Sequence, residues 1–320
     1  MTKMTQHSTK AAGIDTGKLT LDVALAGGSA RLRIANDPGG HDKLLSWLRR
    51  RDIERVGIEA SGGYERAVVA RLRRNGLSVV LFQPIQVRAY ATYRLRRAKN
   101  DRIDAATIAA CTADLATVRT APDPRFEGFA EHLTLIEQIE EDIVRAKTRR
   151  EAFRDPQRRA LLEAEIRRLK AWRAAELKQL GLAVRSHADL ARRLVLIESV
   201  PGVGSRTAIA LLVRMPELGS LTREQAASLA GLAPFDNDSG KHQGQRHIAG
   251  GRGRLRKSLY AAALPAAFRW NHALIKLYKR LTAAGKPHKL ALVACARKLL
   301  IFVNTVVTRG TPWTQSPYNA

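Results

Sequence analysis

The chain begins with alternating hydrophobic residues and changes to helical periodicity further along. Residues 11–26 read AAGIDTGKLTLDVALA, which predicts one strand that carries Asp15, and residues 31–35 predict its hairpin partner after Gly27 and Gly28. A carboxylate on the buried face of a strand is costly unless it is paired or binds a metal. Asp15 is therefore a candidate for chemistry.

Helices and strands alternate after this hairpin. The pattern predicts a short helix at 44–50, a strand at 56–59 that ends in Glu59, a helix at 64–75 closed by Gly76, and a strand at 77–82. A hairpin followed by alternating helix and strand favours an α/β domain with a central mixed sheet.

A second group of acids lies in the run KNDRID at 99–104. Asp101 and Asp104 are three residues apart, so they share one face of the predicted helix. Taken alone, this pair is explained equally well by a solvated helix face. With Asp15 and Glu59 at strand positions, however, the four acids can converge on one edge of the sheet. Carboxylate oxygens suit Mg²⁺ or Mn²⁺, whereas no Cys/His spacing fits zinc.

Two apolar stripes on charged helices mark the middle of the chain. They follow the linker APDPR at 121–125 and are separated by Pro156; the first contains Leu133, Ile136, Ile139 and Ile143, and the second Leu162, Ile166, Leu169 and Trp172. Such a helical hairpin is either a dimerisation arm or an intramolecular bundle. The length and charge of the two helices favour the arm.

The C-terminal part is mostly helical and contains two glycine-rich segments. Residues 201–204 read PGVG, a tight turn that is either a helix-hairpin-helix presenting N–H groups to a phosphate or an ordinary connection. A polar loop from 233 to 257 contains Ser239. A serine between Asp and Gly is more often a turn residue than a nucleophile. Helices are predicted at 224–232, 255–270, 273–284 and 289–307.

The charge balance points to a nucleic-acid partner. Lys and Arg number 55 against 29 Asp and Glu, a formal net charge of +26, and so many cations suit phosphate neutralisation. The predicted contacts are Arg94, Arg96, Arg97, Lys99, Gly202, Gly204, Lys241, Arg246, Arg252, Arg254, Arg256 and Lys257. No apolar run approaches the length of a membrane span, and we expect Cys111 and Cys295 to be buried thiols in a reducing cytoplasm.

Several motifs resemble one known family. GID at 13–15, GIEASGGY at 57–64, FQPIQVRAYA at 82–91 and AKNDRIDA at 98–105 are similar, in that order, to the RuvC-like (RNase H-fold) domain of the DEDD transposases of the insertion-sequence-110 family, relatives of the Piv DNA invertases. Residues 231–262 and 285–300 resemble the C-terminal transposase domain of the same family.

The resemblance implies a fold, a site and a cofactor. The fold is an α/β RNase H-like (RuvC-like) domain at 11–120, a helical coiled-coil segment at 121–195 and a mostly α-helical transposase domain at 196–310. The catalytic residues carried over are the metal-binding acids Asp15, Glu59, Asp101 and Asp104, with Mg²⁺ or Mn²⁺, and the nucleophile Ser239.

The resemblance also implies an activity and partners. The activity is cut-and-rejoin DNA transposition on donor and target DNA, guided by a structured noncoding bridge RNA. The coiled coil is expected to join a homodimer, and two dimers a tetramer when two duplexes are exchanged. No membrane partner is expected, and the location is the bacterial cytoplasm, at the nucleoid.

Two other functions remain open. One is a RuvC-like junction nuclease that uses the four acids with water as the nucleophile. The other is a nucleic-acid-binding protein without catalysis, against which the intact acids count. Ser239 distinguishes the recombinase from the junction nuclease, because only a recombinase requires the serine.

Overall fold

The computed structural model describes residues 10–95, 101–116, 123–235 and 247–314, and for residues 101–103 it describes the backbone alone. The chain divides into two compact units, residues 1–122 and 123–320. Three domains are predicted from the sequence, whereas here the helical middle segment and the C-terminal helices belong to one unit.

The first unit is built on a five-stranded mixed sheet. Its strands are β1 Ala11–Thr16, β2 Thr20–Leu25, β3 Arg31–Ala35, β4 Arg55–Glu59 and β5 Ser78–Phe82, in the spatial order β3-β2-β1-β4-β5. Because β1 is antiparallel to β2 and parallel to β4, the predicted mixed sheet is confirmed.

The prediction of a single strand over 11–26 is wrong, because a tight turn divides it. The Gly17 N–H donates to the Thr20 carbonyl oxygen at 2.9 Å, and the chain reverses there to form the β1–β2 hairpin. Asp15 consequently lies near the end of a strand, beside the turn, and not inside a longer one.

Helices cover both faces of this sheet. They are α1 Pro38–Arg49, α2 Arg66–Arg74, α3 Pro84–Tyr93 and α4 Asp101–Ala113. α1 begins where the Asp37 carboxylate accepts from the Gly40 N–H at 2.7 Å, with Pro38 in its first turn. Ile14 and Ile58 pack on the α1 and α2 side, and α4 covers the other side.

In its described residues, the second unit is helical apart from a two-stranded ribbon. Its elements are α5 Arg125–Ala152, α6 Pro156–Arg185, α7 Ala188–Glu198, α8 Ser205–Arg214, α9 Arg223–Leu229, β6 Pro234–Phe235, β7 His247–Ile248, α10 Gly253–Pro265, a π-helix Ala266–Trp270, α11 His272–Ala283 and α12 His288–Arg309. One buried apolar cluster joins residues from α5 to α12.

The helix predicted over 255–270 changes form at Pro265. α10 ends at this residue and the chain continues as the π-helix, in which the Asn271 N–H donates to the Ala266 carbonyl oxygen at 3.0 Å. Proline supplies no N–H to the preceding turn, which weakens the regular α-helical ladder at this place.

α5 and α6 form an antiparallel hairpin within one chain. Ile139 and Ile143 of α5 pack against Ile166 and Leu169 of α6, and the amino-terminal part of the α5 stripe packs in the main core. Most of the apolar surface that favoured a dimerisation arm is therefore buried intramolecularly. Self-association stays a prediction, and these stripes no longer support it.

α12 is long and apolar enough to cross a membrane by length and composition, which corrects the expectation that no apolar segment reaches that length. Half of its apolar window is buried inside the unit, where Leu299, Leu300 and Val303 are fully covered. A core helix meets the same criterion, so α12 carries no argument for a membrane partner.

The two cysteines are free and buried, as expected. Burial raises the pKa of the Cys295 thiol to about 11, and burial also raises the pKa of the Cys111 thiol. Thiols of this kind stay protonated and unreactive at neutral pH.

Candidate active site and nucleic-acid surface

Two predicted acids lie side by side at the carboxyl ends of parallel strands. The register of β1 and β4 pairs Ile14 with Ile58, and its continuation by one residue along both strands sets Asp15 beside Glu59. Both residues are half-buried. Neighbouring parallel strands lie about 4.8 Å apart, so the sheet itself brings these two carboxylates to one place.

Two glycines show which face of the sheet carries the acids. A Cβ on Gly13 would lie 2.1 Å from the Ala109 nitrogen, and a Cβ on Gly57 would lie 1.9 Å from the Thr112 Oγ1, so both glycines face α4 at very short range. Side chains alternate along a strand, so residues 15 and 59, two positions further on, lie on the α4 face as well.

The acid pair of α4 belongs to the helix face that meets the sheet. The carbonyl of Ala105 and the side chain of Ile108 approach Gly13 and Gly57, and positions 101 and 104 precede them by one turn on the same face. Asp104 is half-buried. Asp101 begins the helix, and its side chain lies outside the described residues.

A third acid of the sheet was missed in the sequence. Asp22 of β2 is the direct register partner of Asp15, is 9% exposed, and lies 3.8 Å from the Arg33 Nε of β3. Directly paired residues have side chains on one face, so Arg33, Asp22, Asp15 and Glu59 form a row across four strands, here called the acid row. A turn predicted at Gly17 from the sequence would have paired Asp22 with Asp15.

The chemistry of the acid row fits a hard divalent cation, since its candidate ligands are carboxylate oxygens that solvent reaches in part. Among the side chains that the structure describes, no group of three acids, histidines or cysteines is placed so that it could hold a metal ion. Asp15, Glu59 and Asp104 each have further interactions. The four-acid metal site therefore stays a prediction.

The turn that follows Glu59 is fixed by a buried glutamate. The Glu65 carboxylate, 7% exposed, accepts from the Ser61 N–H, the Ser61 Oγ and the Gly63 N–H, each at 3.0 Å. Burial alone would raise the pKa of Glu65, but these hydrogen bonds outweigh it and lower the pKa below its ordinary value. Glu65 therefore holds the end of β4 in place.

Of the four predicted nucleic-acid contacts at 94–99, only the first is described. Arg94 Nη2 lies 2.7 Å from Asp114 Oδ2, to which the Tyr90 hydroxyl donates at 2.6 Å. The hydrogen bonds from Tyr90 and Arg94 lower the pKa of the Asp114 carboxyl. The guanidinium of Arg94 is thus partly neutralised inside its own unit, while the three other predicted contacts, Arg96, Arg97 and Lys99, lie outside the described residues.

The PGVG turn at 201–204 is partly covered. Gly202 has φ +95°, and a Cβ there would lie 2.3 Å from the Ala266 Cβ; glycine is required on both grounds. Gly204 is the exposed N-cap residue of α8. Contact with a phosphate at this turn stays a prediction.

Three predicted cations of the glycine-rich loop are engaged inside the second unit. Arg252 pairs with Glu217 at 2.6 Å, and Arg254 pairs with the buried Glu137 at 2.7 Å. Arg256 donates to the carbonyl oxygens of Gly231 and Gly250. These contacts are structural, and they leave less of each guanidinium for phosphate.

The remaining loop residues divide into two groups. Lys257 is exposed on α10, where it is free to reach a phosphate. Ser239, Lys241 and Arg246 lie outside the described residues, so their predicted roles stay predictions.

His288, the first residue of α12, has a protein partner. Its Nδ1 lies 2.7 Å from the Tyr278 hydroxyl, and Pro287 is the N-cap residue of α12. The imidazole is exposed, so it joins α12 to α11 at the surface.

Comparison with known proteins assigns the family. A transposase model of the DEDD IS110 type matches residues 12–153, and the model described as "Transposase IS116/IS110/IS902 family" matches residues 194–279. The chain is 25% identical to the pilin gene-inverting protein of Moraxella bovis over 315 residues, which is 94% of this chain and 96% of that protein. The Moraxella lacunata protein of the same name matches to the same extent.

A third relative matches a shorter part. It is the "Insertion element IS110 uncharacterized 43.6 kDa protein" of Streptomyces coelicolor, 35% identical over 117 residues, which is 36% of this chain and 29% of that protein. The acid row lies within the residues matched by the first family model, and α8 to α10 lie within those matched by the second, which also covers parts of α7 and α11. The chain belongs to the IS110 family of transposases and DNA invertases, which act on DNA.

Proposed function

We propose that this transposase cuts and rejoins DNA through a covalent link to Ser239, with the help of a divalent metal held by the acids of the first unit. The observation that carries the proposal is the placement of Asp15 beside Glu59 on the sheet face that α4 covers. Asp101 and Asp104 lie on the matching face of that helix.

Each group has a defined task in this proposal. The Ser239 Oγ attacks the phosphorus, forms the Oγ–P bond and loses its proton, while the bond from phosphorus to the 3′ oxygen breaks and that oxygen takes up a proton. The products are a phosphoserine at the 5′ end and a free 3′-hydroxyl, which can later attack the phosphoserine and restore a phosphodiester. Asp15, Glu59, Asp101 and Asp104 would hold Mg²⁺ or Mn²⁺, which when bound stabilises charge on the phosphate oxygens.

The same proposal includes the partners. Donor and target DNA are bound with the help of a structured guide RNA, and base pairing would then supply the sequence recognition. The working unit is a homodimer that pairs into a tetramer, because the exchange of four strands needs four nucleophiles. The protein acts in the cytoplasm, at the DNA.

The test is a denaturing gel of end-labelled DNA after incubation with Mg²⁺. Ser239→Ala should eliminate the protein-linked 5′ end, and Asp104→Ala should eliminate all strand cleavage, while both variants still bind DNA. Ser228→Ala, an exposed serine of α9, is the matched control and should behave as the unmodified protein.

The competing nuclease gives a different gel. If water is the nucleophile, Ser239→Ala still cleaves and no protein-linked end forms in any variant. A protein-linked end in Ser239→Ala would instead require another hydroxyl. Ser258 is poorly suited to that role, because it is buried and its Oγ is engaged with Arg206 at 2.8 Å and with the Arg254 carbonyl oxygen.

A further inference from the structure

The last quarter of the chain carries one sign of charge. Residues 239–320 contain 15 Lys and Arg and no Asp or Glu. Within the described part of this stretch, α10 to α12 expose cations such as Lys257, Lys279 and Lys289. A surface of this kind attracts a polyanion and repels a second copy of itself.

Two large aromatic side chains stand out from this basic surface. Phe268 is 54% exposed and Trp270 is 57% exposed. Both belong to the π-helix, in which Ala266 and Ala267 are buried, as is Asn271 directly after it, so that residues 268 to 270 together form the exposed arc. π-helical turns inside α-helices occur frequently at functional sites.

The neighbouring side chains hold these rings in place. The Phe268 ring lies 4.8 Å from the Tyr278 ring at 52°, and Tyr278 is tied to His288 by the 2.7 Å hydrogen bond. On the other side, the Arg269 guanidinium lies 5.7 Å from the centre of the Trp270 ring. Phe268, Trp270, Tyr278 and His288 are here called the aromatic platform.

The platform is fixed to the PGVG turn from below. The Asn271 side-chain nitrogen donates to the Pro201 carbonyl oxygen at 3.1 Å, and Ala266 fills the space above Gly202. The π-helix that carries Phe268 and Trp270 is therefore tied to the glycine turn that is predicted to contact phosphate.

We propose that the aromatic platform stacks on unpaired DNA bases, while the surrounding lysines contact the phosphates of the same strand. An aromatic ring can stack on a base face only where the base is not already stacked in a duplex, and such stacking is tolerant of sequence. The inference rests on the proposed function in one respect, because strand exchange between two duplexes separates base pairs and leaves bases unpaired. The proposal needs neither the serine nor the metal.

Binding is measured by fluorescence anisotropy with the full chain in EDTA, so that no strand is cut. The probes are a labelled 20-nucleotide single strand, its duplex, and RNA of the same sequence. Phe268→Ala and Trp270→Ala should each weaken single-stranded DNA binding by about 5- to 100-fold and change duplex binding much less. Phe153→Ala and Trp172→Ala are the matched controls, because these rings are 42% and 40% exposed on the α5–α6 hairpin; they should change nothing.

The salt dependence separates stacking from charge. The ring variants should lower the affinity by the same factor at every salt concentration, whereas Lys279→Ala and Lys289→Ala should each reduce the slope of log K against log salt by about 0.7. Equal losses for single strand and duplex overturn the proposal, as does a loss confined to RNA. A change from dimer to monomer in sedimentation of the ring variants also overturns it, because the platform would then be covered by another copy.

The outcome is independent of the cleavage chemistry. Unchanged strand binding in Phe268→Ala together with a normal Ser239 adduct would reject the platform and keep the proposed function. The expected loss of strand binding in Phe268→Ala, together with no adduct in the unmodified protein, would keep the platform and reject the proposed function.

Discussion

The acid row of the first unit and the arginine network of the second unit use charge in opposite ways. In the acid row, Asp15, Asp22 and Glu59 lie on neighbouring strands with one arginine, Arg33, at the end. In the network, Glu137 is contacted by both Arg214 and Arg254, at 2.8 and 2.7 Å. Like charges directly opposite each other on a sheet lower stability, whereas a buried carboxylate held by two guanidiniums is compensated.

This difference indicates where function lies. The network is explained by folding, because it joins α5 to α8 and α10 around a carboxylate that is 7% exposed. Folding does not call for three acids in one row of a sheet. Proteins keep such unfavourable arrangements at sites that work on a substrate.

The largest expected effect comes from removing one charge of the acid row. Glu59→Gln should lower DNA cleavage by about 100-fold or more, because a ligand of the proposed metal site is lost, without lowering the free energy of unfolding. Cleavage assays with Mg²⁺ and denaturant unfolding measure the two quantities. Glu54→Gln, directly before the opposite end of the same strand and exposed, is the control; normal cleavage by Glu59→Gln would remove Glu59 from the site.

Removing one cation of the arginine network should instead lower the stability of the fold. Arg214→Met should lower the free energy of unfolding by about 3 kcal/mol, because Glu137 keeps only one of its two cationic partners in a buried place. Lys257→Met, at an exposed position of α10, should change stability by less than about 0.5 kcal/mol but reduce the salt slope of duplex binding by about 0.9. If both variants change only DNA binding, the division between structural and DNA-contacting cations fails.

The comparison also shows what the sequence could predict. The mixed sheet and the alternation of helices and strands follow from alternating residues and turn signals that are local in the chain. The partners of the loop arginines do not, because Arg254 and Glu137 are 117 residues apart and only the packed unit brings them together. A basic run therefore looks like a DNA surface in the sequence even where part of it holds the fold together.

Two errors in the sequence interpretation have local causes. The turn at Gly17 interrupts a pattern that alternates on both sides of it, so the hairpin was missed and Asp22 with it. The stripes on α5 and α6 were correctly located, but hydrophobic periodicity does not distinguish a partner helix of the same chain from one of another chain. The roles of Ser239 and Asp101 rest on the family resemblance and stay predictions.

The close contact between α4 and the sheet offers a third test. Gly13→Ala should lower the free energy of unfolding by about 1–3 kcal/mol, because its Cβ would meet the backbone of α4 at 2.1 and 2.3 Å, and should lower cleavage by displacing Asp104. Gly128→Ala, in α5 with open space around it, should instead raise stability by about 0.5–1 kcal/mol. Thermal unfolding compares the pair; a neutral Gly13→Ala would show that α4 does not fix the distance between its acids and the sheet.

The smallest effect concerns pH and the turn after Glu59. The pKa of Glu65 is below its ordinary value of 4.5, since hydrogen bonds to its charged form outweigh the opposing effect of burial. A lowered carboxyl pKa contributes stability that is present above the unfolded value and is lost as the pH falls through the folded one. Glu65→Gln should therefore be less stable than the unmodified protein by about 1–2 kcal/mol at pH 7, and this difference should shrink as the pH drops below about 4.5. Denaturant unfolding between pH 7 and pH 3 measures it, with Glu54→Gln as the exposed control. A stability difference that stays constant down to pH 3 would mean that the turn depends on the shape of the Glu65 side chain and not on its charge. The turn next to the acid row would then not require an ionised Glu65.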